Sequence, residues 1–313
     1  MQSDTIPFCK PTLLRHASPP VVSILEETGL LDSKAFPTEH DLNDVVARFH
    51  HNWNGPIFKG QSTFSDDENR YYETIISEEN VVPTREGSWH DLFNALIWLQ
   101  FPKTKKLLNE LHVEDIRQYG VTPRTPRRNR ITHFDECGVI IAVEVARDEQ
   151  TEIPQAPREI NDAGVDKSRS FKTCQKHPLA QFLSQLADHQ WEEVFVVQRE
   201  RWWQTVTPFI FGHANLEMML SPFIGLTGKW LAVTVPVGFH RRDPWQQRKL
   251  LDDAIVERIK ALDHFNAAPL LKPVPLLGIP GWYEVQSHAF YQNQDYFRPL
   301  RPDSKPTVQL PLW

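Results

Sequence analysis

The chain has 313 residues, 40% of them apolar and 24% charged, and a net charge of −6. That length admits one large domain or two smaller ones, at ~100–200 residues each, with a core that needs no disulfide staples. The acidic balance argues against a nucleic-acid binder. The three scattered cysteines, Cys9, Cys137 and Cys174, offer neither a zinc spacing nor a disulfide framework, and no stretch reaches the ~18 apolar residues of a membrane span.

Residues 1–20 read as an irregular arm that lacks the apolar run of a signal peptide, so a cytoplasmic setting is expected. A short helix over residues 21–28 ends at Gly29. A second begins after Thr38, a good N-cap, and carries Leu42, Val45, Val46 and Phe49 at helical spacing. Residues 53–70 form a loop, and 71–76 suit a short helix or strand. After the break VVPTREGS, residues 88–112 give the clearest helical pattern of the chain. Ser88 is its N-cap, Asp91 lies in its first turn, and Pro102 divides it, because proline lacks the amide that an interior position must donate. A second helix over 103–111 follows, with Pro102 in its first turn.

Residues 123–146 read as an arginine-rich turn, a strand, a turn at Glu136-Cys137-Gly138 and a second strand rich in Val and Ile: a hairpin. Residues 147–176 lose apolar periodicity and read as a mobile insertion. Helices are expected over 179–186, over 191–206 and in the run after Pro208 that contains FGHANLEMML. A strand is expected over 229–239. The last helix, over 243–265, has Asp243 as N-cap and Pro244 in its first position. The remaining tail is rich in proline and aromatics, and it wraps the surface or lines a cleft. The expected class is α+β, mainly helical with a small antiparallel sheet.

Four clusters could carry chemistry. His90, Asp91 and Asn94 stand at the start of an otherwise apolar helix, and His90 and Asn94, four apart, share a face. His133 and Asp135 would share one face of the expected strand, as candidate acid–base groups. His213 and Glu217, four apart on a helix, could hold one metal ion or form a base with its orienting carboxylate. Arg127, Arg128 and Arg130, in the run PRTPRRNR with Arg124, offer planar donors suited to phosphate or carboxylate. Each cluster also has a plain structural explanation: a cap, a turn, a helix-surface pair or a solvated charge run. The HExxH pattern, dinucleotide and P-loop glycine motifs, and the GxSxG elbow are all absent.

The stretches VPTREGSWHDLFNALIWLQFPKTKKLLN, RNRITHFDECGV, FIFGHANLEMMLSPFIGLTGKWL and LLGIPGWYEVQSHAFYQNQDYFRPLRP together resemble a bacterial family known only as a domain of unknown function. Its members carry W-H-D-x-F-N-A-L, T-x-F-D-E-x-G and G-H-A-x-x-E. The resemblance spans residues 20–303 or so. It implies a single domain over 21–303 followed by a tail over 304–313, a bacterial cytoplasmic setting, and no transferable activity.

Two functions stay open. One is a metal-assisted hydrolase of a phosphorylated or otherwise anionic small substrate. It would use His90, Asp91, His133 and Asp135 in catalysis, Asn94, Arg127, Arg128, Arg130 and Trp282 for substrate, and His213 and Glu217 for a divalent metal. The other is a non-catalytic binder of a small ligand or partner, whose groove is built from the aromatic tail around Trp282, Tyr283, Phe290, Tyr291, Tyr296 and Phe297.

Overall fold

A computed structural model describes residues 6–146 and 178–312. The expected insertion over 147–176 and Cys174 lie outside the described residues. The architecture is mainly helical around two small sheets. In chain order the elements are α1 (Lys10–His16), α2 (Pro19–Glu27), α3 (Glu39–Phe49), β1 (Ile57–Gly60), α4 (Tyr72–Glu79), β2 (Val81–Thr84), α5 (Trp89–Gln100), α6 (Pro102–Tyr119), α7 (Pro126–Cys137) and β3 (Gly138–Val145). After the undescribed stretch come α8 (Pro178–Ala187), β4 (Val206–Ile210), α9 (His213–Met218), β5 (Thr227–Pro236), α10 (Pro244–Ala261), β6 (Lys272–Pro275) and the single turn α11 (His288–Tyr291).

The sheet differs from expectation. β4, β3, β5 and β6 lie side by side in that order; β3 runs parallel to β5, while the two outer pairings are antiparallel. β1 and β2 form a separate parallel pair. The architecture is therefore mainly helical as expected, but the larger sheet is mixed. All of β3 is buried. This explains its nearly unbroken run of Val and Ile, because a strand covered on both faces has no solvent side to alternate toward.

The expected hairpin is replaced by helix α7 running directly into β3. Thr125 accepts a hydrogen bond from the Arg128 amide, Pro126 takes the first helical position, and Arg128, Ile131 and Phe134 recur every three residues as the buried stripe. A strand is expected from the run's place between an arginine-rich turn and the Glu136-Cys137-Gly138 turn, and this period of three contradicts it. No turn separates the two elements; Gly138 instead allows an abrupt change of direction, since a Cβ there would lie 2.3 Å from the Phe134 carbonyl oxygen. Two more expectations change. Residues 191–206 hold only short helical turns, and VTPFI becomes strand β4. The N-terminal arm contains helices α1 and the start of α2.

The cap and proline signals hold. Ser88 accepts from the Asp91 amide, Asp243 accepts from the Gln246 amide, and Thr38 forms a full capping box with Asp41. α5 is buried nearly all round, with Trp89, Leu92, Phe93, Leu96, Ile97, Trp98 and Leu99 in the core. Each such side chain contributes about 1.5–3 kcal/mol by leaving water. Helix α6 has no side-chain cap of its own at Phe101. Asp252 of α10 supplies it, accepting from the amides of Lys103 at 2.9 Å and Thr104 at 2.8 Å. This cross-helix cap fixes the rotation of α6, and with it the direction of Lys105.

Candidate active site

Four helices bring polar side chains to one point. The first turn of α5 carries His90 and Asn94. α9 starts at His213 and carries Glu217 one turn later. α7 ends with Asp135 near its last turn, and α6 presents Lys105. The approach of α9 to α7 depends on Gly212, where a Cβ would lie 2.4 Å from the Glu136 carbonyl oxygen and 2.5 Å from the Gly138 nitrogen. Asn215 ties the same junction by donating to the Cys137 carbonyl at 2.9 Å.

The resulting contacts form a chain that is interrupted at one step, between His213 Nδ1 and Asp135. His90 Nδ1 lies 2.9 Å from a carboxylate oxygen of Glu217, and His90 Nε2 lies 3.1 Å from His213 Nε2. His213 Nδ1 faces Asp135 at 3.8 Å. The other oxygen of Asp135 accepts from Lys105 Nζ at 2.5 Å, Lys105 donates to Asn94 Oδ1 at 2.9 Å, and Asn94 Nδ2 donates to the Tyr72 hydroxyl at 2.8 Å. His90, His213, Asp135, Asn94 and Tyr72 line a cleft of about 720 Å³.

The electrostatics distinguish the two histidines. The hydrogen bond to Glu217 raises the His90 pKa above its ordinary value, against an opposing effect of burial. Burial lowers that of His213 to about 4, against the pull of Asp135. Glu217 thus favours the protonated form of His90, while burial keeps the His213 ring neutral. When protonated, His90 donates Nδ1–H to Glu217 and Nε2–H to the lone pair of His213 Nε2, leaving the Nδ1–H of His213 toward Asp135. Burial pushes the Asp135 carboxyl up, but Lys105, His213 and His112 together outweigh it and leave it below the usual carboxylate range. Burial also raises the neighbouring Glu73 and Tyr72.

Of the residues singled out from sequence, His90, Asn94, Asp135, His213 and Glu217 meet here. Asp91 lines the same cleft but turns to Arg85, accepting from Nε at 3.0 Å, Nη2 at 2.8 Å and the backbone amide at 2.7 Å. His133 does not join them. Residues two apart on a helix point to opposite sides, so with Asp135 turned inward His133 is exposed. Arg127 pairs with Asp115 and Glu114. Arg128 is fully buried and donates to the carbonyls of Gly120 and Val121, and Arg130 donates to those of Phe265 and Asn266. None of these three arginines lines the cleft; Arg124 does.

Trp282 is buried beside a different cavity of about 450 Å³. Tyr296 and Phe297 of the aromatic tail are also buried, the Tyr296 hydroxyl donating to the Leu226 carbonyl at 2.6 Å. His213 and Glu217 both turn onto His90. Among the described residues, no group of three or more His, Cys, Asp and Glu side chains is arranged to hold a metal ion.

Sequence reasoning missed Lys105 and His112. Lys105, Asn109 and His112 are buried at spacings of four and three on α6. A polar stripe at helical period within the buried face was the available signal. It was masked by the neighbouring exposed lysines of FPKTKK.

The model of a family described as "Protein of unknown function (DUF3025)" matches residues 57–159 and 165–301, most of the chain. No curated protein and no solved structure matches it.

Proposed function

On the premise that the chain belongs to the DUF3025 family, we propose that it is a hydrolase whose acid–base group is His90, acting on a small anionic substrate bound in the 720 Å³ cleft. The observation that carries this reading is the Glu217–His90–His213 chain at the cleft wall. Glu217 fixes the ring through Nδ1, and proton transfer at Nε2 requires that nitrogen to exchange its 3.1 Å contact with His213 Nε2 for the attacking water. Neutral His90 takes a proton at Nε2 from an attacking water, whose oxygen forms the new bond to the substrate. The imidazolium, stabilised by Glu217, returns that proton to the leaving oxygen as the scissile bond breaks. General acid–base catalysis of this kind contributes about 10²–10⁴-fold. A raised His90 pKa suits the role, since a catalytic pKa near the working pH balances proton affinity against supply.

The test is a hydrolysis screen over chromogenic carboxylic esters, phosphomonoesters and phosphodiesters, with wild type beside His90→Gln. Turnover of one class, falling about 100-fold or more in the variant, supports the reading. Turnover that survives His90→Gln, or none in any class, removes it.

A further inference from the structure

The wall of the cleft formed by the 120–132 segment holds cationic and donor groups that the acid–base chain does not use. Arg124 is exposed, with Nη2 donating to the Tyr71 hydroxyl at 2.9 Å and Nη1 to Thr132 Oγ1 at 3.5 Å. Among the described residues it has no carboxylate partner. The other two arginines of the cleft do: Arg70 is held by Glu68, Glu78 and Glu79, and Arg85 by Asp91. His112, only 4% exposed, lines the same cleft and has no hydrogen-bond partner for its Nδ1. Behind them, the fully buried Arg128 places its guanidinium 5.3 Å from the Tyr71 ring centre, with Nε and Nη2 unpartnered.

Buried donors left without a hydrogen-bond partner are costly. Glu73 and Asp115 balance the charge of Arg128 at a distance, but neither hydrogen-bonds its Nε or Nη2. Asp135 is held by Lys105, Glu73 accepts from Asn109, and Glu136 is exposed.

We propose that Arg124, Thr132 and His112 form an oxyanion subsite that takes the phosphate group of the substrate, with Arg128 adding positive charge from behind Tyr71. Arg124 supplies the planar, paired donors that such an oxyanion accepts. Thr132 and His112 supply single donors beside it. This names the substrate class of the hydrolase reading and rests on that reading for the reaction, but not for the binding.

The experiment titrates inorganic phosphate into the full-length protein by calorimetry, comparing wild type with Arg124→Gln, Arg124→Lys and, as a control outside the cleft, His240→Gln. Each variant is first checked for an unchanged thermal transition. Saturable binding to wild type is expected, weakened about tenfold or more in Arg124→Gln, partly restored in Arg124→Lys, and kept within about threefold in His240→Gln. No saturable binding to wild type, or equal affinity in Arg124→Gln, overturns the subsite. Phosphate binding without hydrolysis of any phosphoester leaves the subsite standing and removes the hydrolase reading, so the two failures are distinguishable.

Discussion

Among the described residues, two histidine–glutamate pairs share a close geometry but differ in consequence. His90 and Glu217 meet at 2.9 Å, and His240 and Glu144 at 2.6 Å. The histidines are similarly exposed, at 34% and 30% of their side-chain surface, but Glu217 is 21% exposed and Glu144 only 5%. Glu144 also accepts from the backbone amides of Gly238 at 2.7 Å and His240 at 2.8 Å. Its lone pairs are consumed in pinning the turn after β5 onto β3. The His90 ring instead continues through Nε2 to a second, neutral imidazole at the wall of the large cleft. A histidine–carboxylate pair is a structural clip where the carboxylate also holds backbone, and a candidate proton-transfer device where the imidazole leads on toward an open cavity.

The largest effect that could break this comparison is on turnover. His90→Gln is expected to lower kcat/KM about 100- to 10,000-fold, while His240→Gln stays within about threefold. Equal losses measured in the two variants, by steady-state kinetics on whichever substrate class the screen finds, would erase the distinction.

Next in size is acid sensitivity. Burial holds both His112 and His213 at about 4, so both are neutral in the fold and protonated in the unfolded chain between pH 4 and 6.5. Their neutral burial therefore costs nothing above pH 6.5, and stability falls as pH drops toward 4. The loss is up to about 3 kcal/mol for each group, at roughly 1.4 kcal/mol per pH unit. His90 opposes this with the reverse sign: its pairing with Glu217 stabilises fully below its ordinary pKa and fades as pH rises past the raised value. Urea midpoints at pH 7 and pH 4.5 check the balance, and His112→Leu should show a smaller drop than wild type. An identical drop in both would assign the acid sensitivity elsewhere.

Glu144→Gln sharpens the comparison from the structural side. Losing charge-assisted bonds to two backbone amides and to His240 should lower the unfolding free energy by about 1.5–3 kcal/mol with little change in kcat/KM. The smallest effect belongs to Glu217→Gln. It should cost under about 1 kcal/mol of stability, because that pair is partly solvated, yet lower the pH of the rate profile's His90-controlled limb. A stability loss larger than that of Glu144→Gln would reverse the assignment of the two pairs.

Much of this site could be seen in the sequence because it sits on helix starts. Ser88 and Pro102 delimited α5, which placed His90 and Asn94 on one face, and the spacing of His213 and Glu217 put both on one face of α9. Asp135 was singled out on the wrong element. The signals of a helix were present there, in the Thr125 cap, Pro126 and the spacing of Ile131 and Phe134, but the turn-like Glu136-Cys137-Gly138 outweighed them. That error carried His133 into the expected site and kept Arg124 behind its three neighbours. The partners of the chemistry lay beyond reach for a different reason. His90 and Glu217 are 127 positions apart, and Lys105 and Asp135 are 30 apart. Their meeting depends on a cross-helix cap at Asp252 and on a close backbone approach at Gly212, and no local spacing reports either.

The central claim is that Glu217 holds His90 as an acid–base group of raised pKa, and histidine-selective NMR titration of the full-length protein tests it directly, with the His90 resonances assigned by their loss in His90→Gln. The account predicts that His90 titrates above 6.5 and that its midpoint falls in Glu217→Gln. A midpoint below 6.5, or one that Glu217→Gln leaves unmoved, would contradict it.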